Sequence, residues 1–173
     1  MAEDTATYGP LQGPAFFQNV SEDQAAEEEV VERIQVCVFE LSDRLFALQV
    51  LDVQEILEDA EITNVPTTPH FLRGVINLRG DIVPVVDVRD VLHLPARPKT
   101  RESRIMILKI KHVQLGIFVD AIKEVTWIDK RVAQPDKIQV GISDGKFITN
   151  VIYYKDSFLV LLHLNNLYQA IQL

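Results

Sequence analysis

The chain has 173 residues, 47% of them apolar, and a single cysteine, which supports a packed core and excludes an intrachain disulfide framework. Its net charge of −8 is lopsided: residues 1–33 carry eight acids against one base, and residues 34–173 carry 17 acids against 16 bases. A nearly neutral body offers no broad field for a polyanion, so nucleic acid is a poor partner. The opening MAEDTATYGPLQGPAFFQNV lacks the basic and apolar regions of a signal peptide. No apolar run reaches the roughly 18 residues needed for a membrane-spanning helix, so no direct membrane insertion is expected. Cys37, inside IQVCVF, reads as a small buried hydrophobe in a reducing, cytoplasmic setting.

Residues 1–33 read as an acidic flexible N-terminal tail. Within it, SEDQAAEEEVVERI is either a short helix, with Ser21 ahead of acids suited to a helix N-terminus, or a solvated linker. From Ile34 to Leu173 the texture changes to short Val- and Ile-rich runs broken every eight to twelve residues, an all-β pattern. IQVCVFEL and RLFALQV pair across Ser42-Asp43. The short segment VLDVQEIL and then EITNVP follow. Pro69 to Arg73 reads as one helical turn ended by Gly74. VINLR and DIVPVVDV form a hairpin whose turn is Gly80-Asp81, of type II′. Pro84 marks an edge or a bulge, because it cannot donate to a ladder.

VRDVLHL is helix-like, and LPARPKTRES is a polar connection. Beyond it SRIMILKI and VQLGIFVD flank Lys111-His112, AIKEVTWID follows, and a polar loop runs to about Gln139. KFITNVIYY and SFLVLLHL flank Lys155-Asp156, and LNNLYQAIQL closes the chain as a helix. Five short strands in each half predict a mainly β fold. Its form is two five-stranded barrels packed together, with short helices and a C-terminal helix. They divide roughly near residues 95–103, with strand exchange between them left open. The halves show no clear sequence repeat.

Catalytic patterns are missing. His70, His93, His112 and His163 lie in separate segments without zinc spacing, and His163 reads as structural. GxSxG, Walker and GxGxxG motifs are absent, and Arg73-Gly74 and Arg79-Gly80 lack the spacing and lysine of a phosphate loop. Asp87 and Asp90 fit a solvated face better than an acid–base pair. A hydrolase or ligand-binding barrel would need a polar pocket with a perturbed titrating group, which no pattern here supports. What remains is surface: sheet edges and a crease between barrels, features that recruit strands and helices from partners.

FLRGVINLRGDIVPVVDVRDVL strongly resembles the signature of the CheW family of chemotaxis coupling proteins. The resemblance extends back through LFALQVLDVQEIL and ITNVPTTPHFLRG, and more weakly forward through LGIFVDAIKEV and FLVLLHLNNLY, over about residues 34 to 168. It implies SH3-like barrels, no enzyme activity and no cofactor or metal. It also implies an adaptor between the helical tips of chemoreceptors, which lie in an apolar groove between the barrels, and the CheW-like regulatory domain of the histidine kinase CheA. With no kinase or receiver domain in this sequence, the chain resembles a stand-alone coupler rather than CheA or CheV.

Carried over by residue, the resemblance implies that Val53, Glu55, Ile56, Gly74, Asn77, Arg79 and Gly80 belong to partner-binding surfaces. It further implies a Glu55–Arg79 charge pair at the groove edge, partly buried and costly to break. Arg73 is expected to be solvated in its helical turn, with Gly74 ending that turn. Two departures stand out. Asn150 occupies a position near which the family carries glycine; Asn tolerates left-handed backbone. The acidic tail is also long. Both fit the alternative of a CheW-like adaptor in a non-swimming pathway, such as one controlling pili or surface motility.

Overall fold

A computed structural model describes residues 32–129 and 145–171 of the chain. The expectations for the acidic tail before residue 32 and for most of the loop after Asp129 lie outside the described residues. Among the described residues there are ten strands and two short helices. β1 (Arg33–Leu41) and β2 (Arg44–Gln49) are joined at Ser42-Asp43, and a 3-10 turn at Val50–Asp52 leads into β3 (Val53–Leu57). β4 (Leu72–Leu78), β5 (Asp81–Val86) and α1 (Arg89–Leu92) complete the first half. β6 (Arg104–Ile110), β7 (Val113–Val119), β8 (Ala121–Asp129), β9 (Ile148–Tyr154), β10 (Ser157–Leu162) and α2 (Leu164–Ala170) form the second.

The strands assemble into two five-stranded sheets, ordered β8-β1-β2-β10-β9 and β3-β6-β7-β5-β4. Each sheet therefore takes one hairpin from one half of the chain and three strands from the other. Strand exchange is extensive, and the polar connection at 95–103 does not separate the two barrels: β6 and β7, beyond it, complete the barrel begun by β3, β4 and β5. The halves repeat in structure. Each runs hairpin, edge strand, hairpin, helix, and each closes its order with one parallel pairing, β2 with β10 or β7 with β5. No letter-by-letter repeat announces this, because a strand requires only alternation and any branched apolar residue satisfies it.

Alternation explains the three cores. On β1, Val36 and Val38 point into a cluster with Ala47, Ile152, Leu159 and Leu161, the interior of the first barrel. Ile76, Val83, Val85, Ile105, Ile107 and Phe118 fill the second. The opposite faces, including Cys37, Phe39 and Phe46 from one sheet and Met106, Leu108 and Ile117 from the other, merge into the largest cluster, the shared core between barrels. Cys37 is fully buried there, and burial pushes its thiol above the ordinary 9.0, so it behaves as the expected hydrophobe.

Four sequence expectations change. Pro69 to Arg73 is not a helical turn: a single tight turn closes with Leu72 N–H donating to Pro69 O at 2.9 Å, and β4 already starts at Leu72. The β4–β5 turn is Arg79-Gly80, one residue earlier than expected, with Leu78 opposite Asp81. Both turn residues have positive φ, 53° and 99°, which is the type I′ pattern rather than II′. Asn77 decides the frame, since its Oδ1 accepts from Gly80 N–H at 2.8 Å. Gly74 does not end a turn; it lies inside β4 at a bulge with φ +140°. Asn150 lies inside β9 opposite Leu161, with no positive φ, so left-handed tolerance is not what it supplies. Pro84 lies in β5, opposite Val75 of β4 and just before the short pairing with β7 begins at Val85. There the missing N–H forfeits no ladder bond.

Candidate partner-binding seam

In the second barrel the two edge strands are β3 and β4. A bulge between Val53 and Glu55 sets Glu55 opposite Ile107, on the barrel-interior face, and Ile56 opposite Met106, on the shared-core face. The I′ turn at the end of β4 carries Arg79 toward β3. There its two terminal nitrogens donate to the two Glu55 carboxylate oxygens, each at 2.9 Å. This fork-to-fork geometry is the one arginine is shaped for. The pair spans the open seam between the barrel's edge strands.

The Glu55 side chain is 20% exposed and that of Arg79 is 75% exposed. The arginine is thus a surface group, and the expectation that breaking the pair is costly gives way to a modest effect on stability. Its value lies in shape and charge at the surface. Ile56 at 37% and Ile82 at 66% exposure lie beside the seam strands, and Leu51, in the 3-10 turn before β3, is 93% exposed. Sequence reasoning did not single out Leu51 or Ile82; their only signal was an apolar residue at an odd step of the alternation.

The structure brings Glu55, Asn77, Arg79 and Gly80 together at this seam. It sets Val53 and Gly74 elsewhere, with Ile56 beside the seam. Val53 packs half-buried against the shared core. Gly74 is at the far end of β4, where a Cβ would sit 2.3 Å from Thr63 O and 2.8 Å from Ile62 Cγ2. Thr63 and Val75 exchange backbone bonds at 2.8 and 2.9 Å, so glycine is required for the close approach of this crossing segment.

The largest discrepancy lies behind the seam. Arg73 is not solvated. It is on β4, its side chain 32% exposed, with its guanidinium 4.0 Å from the Phe118 ring centroid and 3.7 Å from Asp87. Asp87 is likewise not on a solvated face. It accepts from Arg89 Nη1 at 2.8 Å and from Arg89 N–H at 3.2 Å, while Asp90 is exposed as expected. Arg89, which the sequence did not mark, is 1% exposed, and its Nη2 donates to Asp120 Oδ1. His163 is structural, its Nδ1 accepting from Asn166 N–H at the start of α2. Among the described residues no group of three or more His, Cys, Asp or Glu side chains is arranged to hold a metal ion. No described helix is long and apolar enough to cross a membrane.

The fold has counterparts in known proteins. Residues 35–172 match the family model described as the CheW-like domain. The chain is 28% identical over 149 residues to "Chemotaxis protein CheW" of Treponema pallidum, covering 82% of this chain and 86% of that protein. It is 26% identical over 97 residues to "Protein PilI" of Pseudomonas aeruginosa, covering 56% of this chain and 54% of that one. The crystal structure of the scaffolding protein TtCheW from Thermoanaerobacter tengcongensis superposes with a TM-score of 0.72 at 34% identity, covering 80% of this chain and 94% of that chain. With a family match over nearly all of its β body, the chain belongs to the CheW-like family.

Proposed function

We propose that the chain is a non-catalytic scaffold that couples the cytoplasmic tips of chemoreceptors to the regulatory domain of the histidine kinase CheA, in arrays at the membrane. The observation that carries this reading is the Glu55–Arg79 seam, a charged pair flanked by exposed Ile56 and Ile82 on a chain of CheW-like fold. Such a surface has an apolar patch for burial and a directional charge pair for register, the combination that protein partners use. Val53, Gly74, Asn77 and Gly80 serve it indirectly, by fixing β3 and the β4–β5 hairpin. The groove between barrels, where the shared-core face continues into Val125 and Trp127 of β8 at 53% and 61% exposure, takes the helical receptor tip.

The test is co-sedimentation of the kinase with receptor-bearing membranes, driven by wild type or by Arg79→Glu. Wild type recruits the kinase and Arg79→Glu, which sets two acids face to face, does not. No recruitment by wild type with partners from the same genome removes the reading. The similarity to PilI supports a second reading, an adaptor of a chemosensory pathway other than swimming. Deleting the gene separates the two: loss of directed swimming supports the first, and loss of surface motility with intact swimming supports the second.

A further inference from the structure

The shared core between the barrels is apolar and close-packed. Oriented polar bonds on top of that packing would define the width of the groove more sharply. The polar links around Arg89 supply them. Its guanidinium bridges Asp87, at the end of β5 in the second barrel, and Asp120, the residue where the chain crosses from β7 to β8 and so from one barrel to the other. The other oxygen of Asp120 accepts from Ser42 N–H at 2.7 Å, in the β1–β2 turn of the first barrel. Asp120 N–H donates to Glu40 O at 3.0 Å, and Ser42 Oγ donates to Pro95 O at 2.6 Å, just past α1.

Thus one turn of the first barrel is tied to the segments leaving the second by charge-assisted, oriented bonds. Arg73 and Phe118 enclose the cluster, the Arg89 guanidinium lying 5.6 Å from the Phe118 ring centroid. Arg89 Nε is buried without a hydrogen-bond partner. Well-packed apolar side chains in place of the whole cluster, Arg89 together with Asp87 and Asp120, would be at least as stabilising. A charged cluster at this position, with one arginine donor left over, points to a role in geometry.

We propose that Arg89 is a positioning residue: it sets the angle between the barrels, and with it the width of the groove that receives a helical partner. The proposal deepens the scaffold reading and, for its binding arm, rests on it. A partner that spans the groove depends on Arg89, whereas a partner that docks on one barrel alone does not. Lysine cannot bridge two carboxylates in a plane, so Arg89→Lys keeps the charge and removes the bridge.

The experiment uses the full chain, wild type and Arg89→Lys, with Arg89→Met as a second variant in case the lysine form fails to fold. Binding is measured to a receptor-tip hairpin fragment and, separately, to the CheA regulatory domain from the same genome. We expect the hairpin to weaken at least about tenfold and the regulatory domain to change by less than about twofold, because the scaffold reading seats only the hairpin in the groove between the barrels. Equal losses for both partners, or no loss for either, in a folded variant overturn the proposal.

The second arm needs no partner. Spin labels at exposed Ser157 and Val113, in a Cys37→Ala background, report the distance between barrels. A broadened or displaced distance distribution in the Arg89 variants supports the proposal, and an unchanged one overturns it. If wild type binds neither partner, the scaffold reading fails while this distance still decides the role of Arg89.

Discussion

Each barrel is closed in the same way and finished differently. In the second barrel, Glu55 of edge strand β3 meets Arg79, the first residue of the β4–β5 turn. In the first, Glu124 of edge strand β8 meets Lys155, the first residue of the β9–β10 turn. Arg79 and Lys155 both have left-handed backbone, φ 53° and 46°. An acid followed by an aliphatic residue, Glu55-Ile56 or Glu124-Val125, answers a cation on a two-residue turn at equivalent places of the structural repeat. The difference is in what surrounds them. Arg79 forks onto its acid, and Gly80 follows it. Lys155 offers a point charge, Asp156 follows it, and Tyr153 and Phe158 pack edge to face beside it with ring centroids 5.9 Å apart. The closing device comes from the fold, and the surrounding surface is free to vary.

The same comparison holds at the other end of the hairpins. Gly74 faces Val85 next to a bulge in β4, and Asn150 faces Leu161 next to a bulge in β9. Exchanging them breaks the equivalence most sharply. At residue 74 any side chain meets Thr63 O and needs an unfavourable φ, so Gly74→Asn should cost about 4 to 5 kcal/mol. Asn150→Gly imposes no clash, and should cost about 1 to 2 kcal/mol, from backbone entropy and the loss of a buried side chain. Urea denaturation of each variant checks this. Equal costs would mean that the crossing segment at Thr63 yields.

Next in size is the buried arginine. Arg89→Met leaves Asp87 and Asp120 without their cation and should lose about 3 to 4 kcal/mol. Asn165, at the matching place in the second half, follows a His163 cap instead of a carboxylate, and Asn165→Ala should fall within about 0.5 kcal/mol. Thermal unfolding of the two variants side by side measures the asymmetry. Comparable losses would show that the helices, not the ion cluster, carry the difference.

How much of this was legible follows from which interactions are local. The turns at Ser42-Asp43, Lys111-His112 and Lys155-Asp156 fell where two apolar runs met polar dipeptides. The Arg79-Gly80 turn slipped by one because Gly80 satisfies either hairpin type, and only the Asn77 side chain breaks the tie. The exchange of hairpins between barrels is invisible to alternation, which specifies a face but not a neighbour. Arg73 and Arg89 look alike as letters; one covers a phenylalanine ring and the other is sealed between two carboxylates, because of strands far away in sequence. Glu55 and Arg79 were paired through the family resemblance, not through their spacing of 24 residues.

Smaller effects sharpen the contrast between the seams. Arg79→Ala should change stability by less than about 1 kcal/mol, since the arginine is mostly in water, while still abolishing kinase recruitment. A large loss of stability would mean that the seam holds the barrel shut. In that case the recruitment defect would report misfolding, and partner binding would have to be tested with Arg79→Lys, which keeps the charge and gives up the fork.

The smallest expected effect is a titration. The Lys155 ammonium, and next the Tyr154 hydroxyl, hold the Glu124 carboxyl below the ordinary 4.5; the same contact with Glu124 holds Lys155 above the ordinary 10.5. A depressed carboxyl favours the folded state above 4.5, and that contribution fades as pH falls through the lower folded value. For the raised lysine the sign reverses: its contribution is complete below 10.5 and fades as pH rises through the higher folded value. Both groups lie in solvent, so salt should weaken the contact. Following the Glu124 carboxyl carbon by NMR, Lys155→Ala should move its midpoint up toward 4.5, and added salt should do so in part. If the midpoint stays low without Lys155, Tyr154 is holding the carboxylate. The first barrel's seam would then be closed by a hydrogen bond rather than a charge pair, and its likeness to Glu55–Arg79 would be one of position only.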